Sequence, residues 1–141
     1  MAQKYVKGVE AHLKRLRAIR DIESPVIQSL LDSGEMVRVE VLESLRRGTI
    51  RGAGHVPSAP GEPPNADSGQ LELGVSVRLR ATEKRVEVVS EAPYSAAQEF
   101  GTRDLPARPF MRPALRKHRS RVVLGIVNTI KQLSIRVYKN G

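Results

Sequence analysis

The side chains best suited to chemistry are three histidines, a few carboxylates and a run of arginines. His12, His55 and His118 stand in a charged amphipathic segment, a proline-rich stretch and a basic segment. A metal site needs ligands converging at short spacings, and these histidines share none. The chain has no cysteine, which removes thiolate ligands, thiol nucleophiles and disulfides. No phosphate-cradling Gly-x-Gly-x-x-Gly or Gly-x-x-x-x-Gly-Lys occurs, and Gly52-Ala53-Gly54 lacks the flanking strand and helix such a loop requires. A Gly-x-Ser-x-Gly nucleophile turn is also missing. Glu40 and Glu43 lie near Arg38, Arg46 and Arg47, so helical surface ion pairs account for them better than acid–base catalysis. Asp67, before Ser68-Gly69, suits a turn. No catalytic, cofactor-binding or metal-binding constellation emerges, and the expectation is a protein that is not an enzyme.

The basic segment is the strongest charge feature. Arg103, Arg108, Arg112, Arg116, Lys117, Arg119 and Arg121 fall close together, opposed only by Asp104. Arg112, Arg116 and Arg119 are spaced to share a helix face. Such a face meets DNA phosphates or an acidic protein, or is simply solvated. Few aromatics interleave with the cations, which argues against base stacking on single strands. The whole chain carries a net charge of +9 and a pI near 10.5, which sets the sign of a partner but not its identity.

The elements that would position these residues follow from periodicity. At 141 residues the chain fits one domain, 1–141. Aromatics are 4 %, without tryptophan, so the core must be aliphatic. Val6, Val9, Leu13 and Leu16 recur at three-four spacing and predict a short amphipathic helix over 5–19. Ser24-Pro25 reads as a helix start, with Ile27, Leu30, Val37, Val41 and Leu45 along one stripe. The whole of 2–48 is expected to be helical. Asp32-Ser33-Gly34 is expected to kink or split the helix, and Gly48 to stop it. Four prolines make 49–69 a long loop suited to lying on a neighbouring subunit. Leu71, Leu73, Val75, Val77 and Leu79 alternate with polar residues; Val86, Val88 and Val89 follow after Thr82-Glu83-Lys84. This predicts an antiparallel hairpin over 70–91, strands included in 71–90. Arg112-Pro113 opens a last helix over 112–138, with Leu115, Val122, Ile126, Ile130, Leu133 and Val137 as its apolar stripe. That helix is the expected cover for the hairpin. The fold class is α+β: a small antiparallel sheet packed against amphipathic helices, with a long Pro/Gly-rich loop. No apolar run approaches the roughly 20 residues of a membrane span, and the first residues lack a signal-peptide core.

Between hairpin and last helix lies the motif segment 93–111. Tyr94 to Phe100 predicts one or two helical turns closed by Gly101. Pro106 and Pro109 hold an extended stretch around Arg108. Phe110, braced by prolines, suits an anchor, in its own core or in a neighbour. Tyr94, then Glu99-Phe100-Gly101-Thr102, then Pro106-Ala107-Arg108-Pro109-Phe110 and Arg112-Pro113-Ala114-Leu115 stand in an ordered pattern. In this pattern the chain resembles the tailed-bacteriophage neck or tail-completion proteins of the Hong-Kong-97 gene-ten type. Upstream, Pro63-Pro64 and Asp67-Ser68-Gly69-Gln70-Leu71 match that family's lead into the hairpin, with serine for its usual threonine.

The resemblance implies a structural virion protein of the neck, assembled in the host cytoplasm. It would form a homo-oligomeric ring, hexamer or dodecamer, at the head–tail junction around a DNA passage. Implied partners are head-closure, tail-terminator or tail-tube subunits, with non-specific contact to genomic DNA and no membrane. The motif residues Tyr94, Glu99, Phe100, Gly101, Thr102, Pro106, Arg108, Pro109 and Phe110 would form the subunit interface. Glu99 and Arg108 would form a charge pair within or between subunits. Arg112, Arg116, Lys117, Arg119 and Arg121 would face DNA or an acidic ring. The alternative is a free-standing basic nucleic-acid-binding protein, whose affinity would fall steeply with salt.

Overall fold

The computed structural model describes residues 9–10, 12–14, 16–17, 23–48 and 52–140. It is an α+β fold with two antiparallel strands and helices that include a long C-terminal one. The described residues between 9 and 17 are helical, with Val9, Leu13 and Leu16 exposed. The rest of the helix expected over 5–19 lies outside the described residues.

The first long helix, α1, spans Glu23–Arg46. Glu23 in its first turn and Arg46 in its last complement the helix dipole. Gly48, at φ +69°, carries the chain out of the helix. The expected split at Gly34 does not occur: α1 is continuous, and Gly34 is buried where the hairpin crosses it. A Cβ there would lie 3.0 Å from methyl groups of both Val77 and Val86. The glycine is therefore an approach point between helix and sheet, not a break. Replacing Gly34 by alanine sets a helix-propensity gain of up to ~1 kcal/mol against overpacking of two stiff β-branched side chains, ~1–3 kcal/mol. A net loss of about 1 kcal/mol is expected by urea unfolding. Gly125, in the last helix, has no atom within 4 Å of its would-be Cβ. There the same substitution should stabilise by roughly 0.5–1 kcal/mol.

The hairpin is shorter than the alternation implies. Strand β1 is Val75–Arg80 and β2 is Arg85–Ser90, paired antiparallel with Val77 opposite Val88 and Leu79 opposite Val86. Leu71 and Leu73 do not extend β1; they lie in a single helical turn, α2, Gln70–Leu73. Gly69 enters that turn at φ +80°, and the Gly74 N–H closes it onto the Gln70 carbonyl. A four-residue alternation fits a strand and a helical turn equally well, and the flanking glycines decide for the turn. Leu71 is buried in the core while Leu73 is exposed. The outer face of the hairpin carries charge pairs: Arg78 with Glu91, and Glu87 with Arg80 at 3.2 Å and Arg85 at 2.6 Å.

Helix α3 is Ser95–Phe100 and α4 is Met111–Asn140. The long C-terminal helix is not the principal cover of the hairpin, as expected from its stripe. Helix α1 lies between them: the hairpin packs on one side of α1 and α4 on another. The reason is that α1 carries two packing sides, one around Val37 and Val41, the other around Ser29 and Ser33. α4 runs antiparallel to α1, with Thr129 Oγ1 3.3 Å from Ser29 Oγ at one end and Lys117 on Glu40 at the other. Val37, Val41, Leu45, Leu71, Val75, Ala92, Phe110 and Ala114 form the core. An apolar cleft of about 320 Å³ remains where Val86 and Val88 of β2 meet Leu30 of α1 and Met111, Leu115 and Val122 of α4.

The proline-rich loop is tied to its own chain at several points. The Ala66 N–H donates to the Leu45 carbonyl (3.2 Å), and Asn65 Nδ2 to the Val56 carbonyl (2.8 Å). The Gly52 N–H reaches Asp67 Oδ1 at 3.3 Å, which gives Asp67 its turn role. Further on, the Gly61 N–H donates to the Ala107 carbonyl at 2.9 Å, tying the loop to the motif segment.

Candidate functional site

The motif segment folds into a clamp centred on Glu99. The Ser95 N–H donates to the Ala92 carbonyl and Ser95 Oγ to the Ser90 carbonyl, which starts α3 directly off β2. Gly101 ends α3 at φ 74°, ψ 174°, its N–H returning to the Ala97 carbonyl. The chain doubles back at once. The Thr102 N–H donates to the Leu105 carbonyl (2.8 Å), and the Leu105 N–H to Thr102 Oγ1 (3.1 Å). The extended stretch between Pro106 and Pro109 then runs beside α3, with the Arg108 N–H on the Gln98 carbonyl at 2.7 Å. This return places the first turn of α4 over Glu99.

The first N–H groups of any helix lack intrahelical acceptors. Here one carboxylate supplies them. Glu99 Oε2 accepts from the Phe110 and Met111 N–H groups at 2.7 and 2.9 Å. Oε1 accepts from the Arg112 N–H at 3.0 Å and from Arg112 Nε at 2.9 Å. An Arg112 terminal nitrogen also donates to the Glu99 carbonyl, and its guanidinium stacks 4.8 Å from the Phe100 ring centre. Glu99 is 4 % exposed. Burial pushes its carboxyl upward, but the N–H groups of Met111, Phe110 and Arg112 and the Arg112 side chain outweigh this and hold it below its ordinary value. The negative charge also sits at the positive end of a 30-residue helix.

The structure places two motif residues inside the chain's own fold: of the two alternatives for Phe110 it takes the first, since at 1 % exposure the ring fills the core beside Leu45 and Val41, and Glu99 is buried with it. The physical reason is the clamp itself, which turns Phe110 inward as α4 begins. Glu99 also does not pair with Arg108 within the chain. Arg112 takes that place, and Arg108 Nε donates to the Ser58 carbonyl at 3.0 Å, pinning the proline-rich loop. Tyr94, Phe100, Thr102 and Pro106 are exposed, and Gly101 and Pro109 are half-buried.

The basic residues divide into two sets. Arg112 and Lys117 hold the fold, through Glu99 and Glu40. Arg116, Arg119 and Arg121 are exposed and have no ion-pair partner among the described residues. Glu40, expected in a surface pair, is instead a buried node between helices. It accepts from Lys117 Nζ at 2.6 Å and faces His118 Nε2 at 3.1 Å, with Arg47 at 3.8 Å. The Lys117 and His118 hydrogen bonds hold its carboxyl below the ordinary value, against the opposing effect of burial.

A second feature escaped the periodicity. α4 is about 45 Å long at 1.5 Å per residue, and it is apolar on more than the face turned to α1. Val122, Ile126, Leu133 and Val137 are half-buried. Val123 and Leu124 are 52 % and 60 % exposed, and Val127, Ile130, Ile135 and Tyr138 are exposed as well. No Asp or Glu occurs between 111 and 140. Among the described residues, no three His, Asp or Glu side chains converge as a metal cage, and no helix is long and apolar enough to cross a membrane. No family model matches the chain, and neither a curated protein nor a solved structure matches it.

Proposed function

We propose that the chain is a structural subunit of a tailed-bacteriophage neck, one copy of a ring at the head–tail junction that connects or completes the tail around the DNA passage. The observation that carries this is the outer face of α4: a long helix with valine, leucine and isoleucine in solvent along most of its length. Such a face is costly in a monomer and ordinary at a subunit contact. The resemblance over Tyr94, Glu99–Thr102 and Pro106–Phe110 supplies the class of assembly. The clamp gives those residues a physical role, because it fixes the angle at which α4 leaves the domain. Every copy then presents the same face. Neighbouring head-closure, tail-terminator or tail-tube subunits would stack on the ring, and the virion neck would be its location.

The Debye length of about 8 Å at physiological salt lets the exposed Arg116, Arg119 and Arg121 act on DNA or an acidic ring only at close quarters. Cryo-electron microscopy of the assembled particle tests the proposal. Density for this chain as a ring between portal and tail tube is expected. Absence of the chain from particles overturns it, and favours the basic nucleic-acid-binding reading if DNA affinity then falls steeply with salt.

A further inference from the structure

Helix α1 has three sides. At about 100° per residue, Ser29 and Glu40 point to α4, while Gly34 and Val41 point to the hairpin and core. Asp32, Val39 and Glu43 occupy the remaining side and are exposed. Asp32 bonds only to its helical neighbour Gln28 at 2.8 Å, and Glu43 has no ion-pair partner among the described residues. The cations of α1, Arg38 and Arg46, are already held by Glu35 and Glu72. This third side is therefore acidic around one exposed valine.

Helix α4 carries the opposite pattern. His118 and Thr129 face α1. Arg119 lies about a quarter-turn from that side, Val123, Val127 and Lys131 lie further round, and all four are exposed. The spacings match when the helices run antiparallel: Glu43 to Val39 is four residues and Val39 to Asp32 seven; Arg119 to Val123 is four and Val123 to Lys131 eight.

We propose that the acidic side of α1 in one copy docks antiparallel on the basic-apolar outer face of α4 in the next, with Glu43 beside Arg119, Val39 on Val123 and Asp32 beside Lys131. The two surfaces do not face each other within a chain, so they meet only between copies. Each α4 is then sandwiched between its own α1 and that of a neighbour. The contact is head-to-tail, joining different patches, and such contacts close into rings when the rotation permits. Complementary charge fixes register while Val39 and Val123 exclude water. This deepens the ring reading and rests on it for closure, not for the pairwise contact.

The chain's lack of cysteine makes the test clean. Full-length Val39→Cys and Val123→Cys proteins are mixed under mild oxidation. The mixed disulfide should form roughly tenfold faster than either homodisulfide, since only that pair comes within bridging distance. By sedimentation, Glu43→Arg or Arg119→Glu alone should weaken self-association roughly tenfold, and the double exchange should restore it to within about threefold. Absence of the preferred mixed disulfide, or additive loss in the double variant, overturns the contact. All four sites are exposed, so circular dichroism should stay unchanged. A ring seen in particles without this cross-link leaves the neck reading standing and removes the contact; the cross-link without a particle ring does the reverse.

Discussion

Glu99→Ala will cost the fold about 3 kcal/mol, since three converging N–H groups lose a buried acceptor at about 1 kcal/mol each, while the half-exposed Arg112 guanidinium can turn to water. Three N–H groups and the Arg112 guanidinium converge on that carboxylate. At this chain length the loss corresponds to a fall in Tm of roughly 10 °C. Glu99→Gln keeps the shape but turns an NH2 group toward N–H donors, so it should lose less than alanine and more than a surface change. The pH dependence has a definite sign. The folded carboxyl is held below its ordinary value of 4.5, so the stability it contributes is full above that value. It is lost as pH falls through the lower folded value. Glu40 adds a loss of the same sign, because Lys117 and His118 hold it low as well. Urea unfolding from pH 6 down to about pH 3 should show a steep loss of stability in the parent chain and a shallower one in Glu99→Ala. An unchanged slope would remove Glu99 from the account of the fold.

What made parts of this architecture legible is that some signals are local. Val77, Val86 and Val88 alternate against polar neighbours, and the strands are there. Ser24-Pro25 and Met111–Pro113 sit at helix starts, and Gly48 and Gly101 take the positive φ their positions implied. Three-four spacing identified α4, and its stripe mixes the half-buried Val122, Ile126, Leu133 and Val137 with Leu115 and Ile130, which are exposed. The further apolar residues Val123 and Val127 fit the same period and are distinguished only by what covers them.

Where the sequence misled, a residue had two physically sound uses. Gly34 is a helix breaker by propensity and an approach point by packing; the choice depended on the hairpin lying across α1. Leu71 and Leu73 fit a strand or a turn. Glu99 had two arginines within reach along the chain, and the sharp reversal at Gly101 decided for Arg112 over Arg108. Phe110 followed, since the carboxylate that caps α4 also sets which way its first side chains face. Glu40 lay among arginines of its own helix, yet its partners are Lys117 and His118, far along the chain. Such pairings come from tertiary packing and leave no periodic trace.

The reversal at Gly101 leads to the second large expected effect. Its backbone, φ 74° and ψ 174°, lies in a region that only glycine adopts without strain of about 1–3 kcal/mol. A Cβ would also lie 2.9 Å from both the Ala107 nitrogen and the Leu105 oxygen. These are backbone atoms of the returning strand and cannot rotate aside as a side chain would. Gly101→Ala should therefore cost about 3 kcal/mol or more, strain and clash together. Gly48 gives the contrast. It also has positive φ, but its added Cβ would meet only the Asn65 side chain, at 3.5 Å, so alanine there should cost about 1 kcal/mol. If the two alanine variants lose equal stability, the closeness of the return is not what requires glycine. The larger loss at Gly101 should also be local before it is global. The Arg108 N–H on Gln98 and the Gly61 N–H on Ala107 depend on the same return. Hydrogen exchange at residues 61 and 108 should accelerate in Gly101→Ala under conditions where the α1 amides stay protected. Simultaneous acceleration everywhere would instead mean that the clamp and the α1 core open as one unit, and that α4 is held to the domain through Glu99 as firmly as the core is held together.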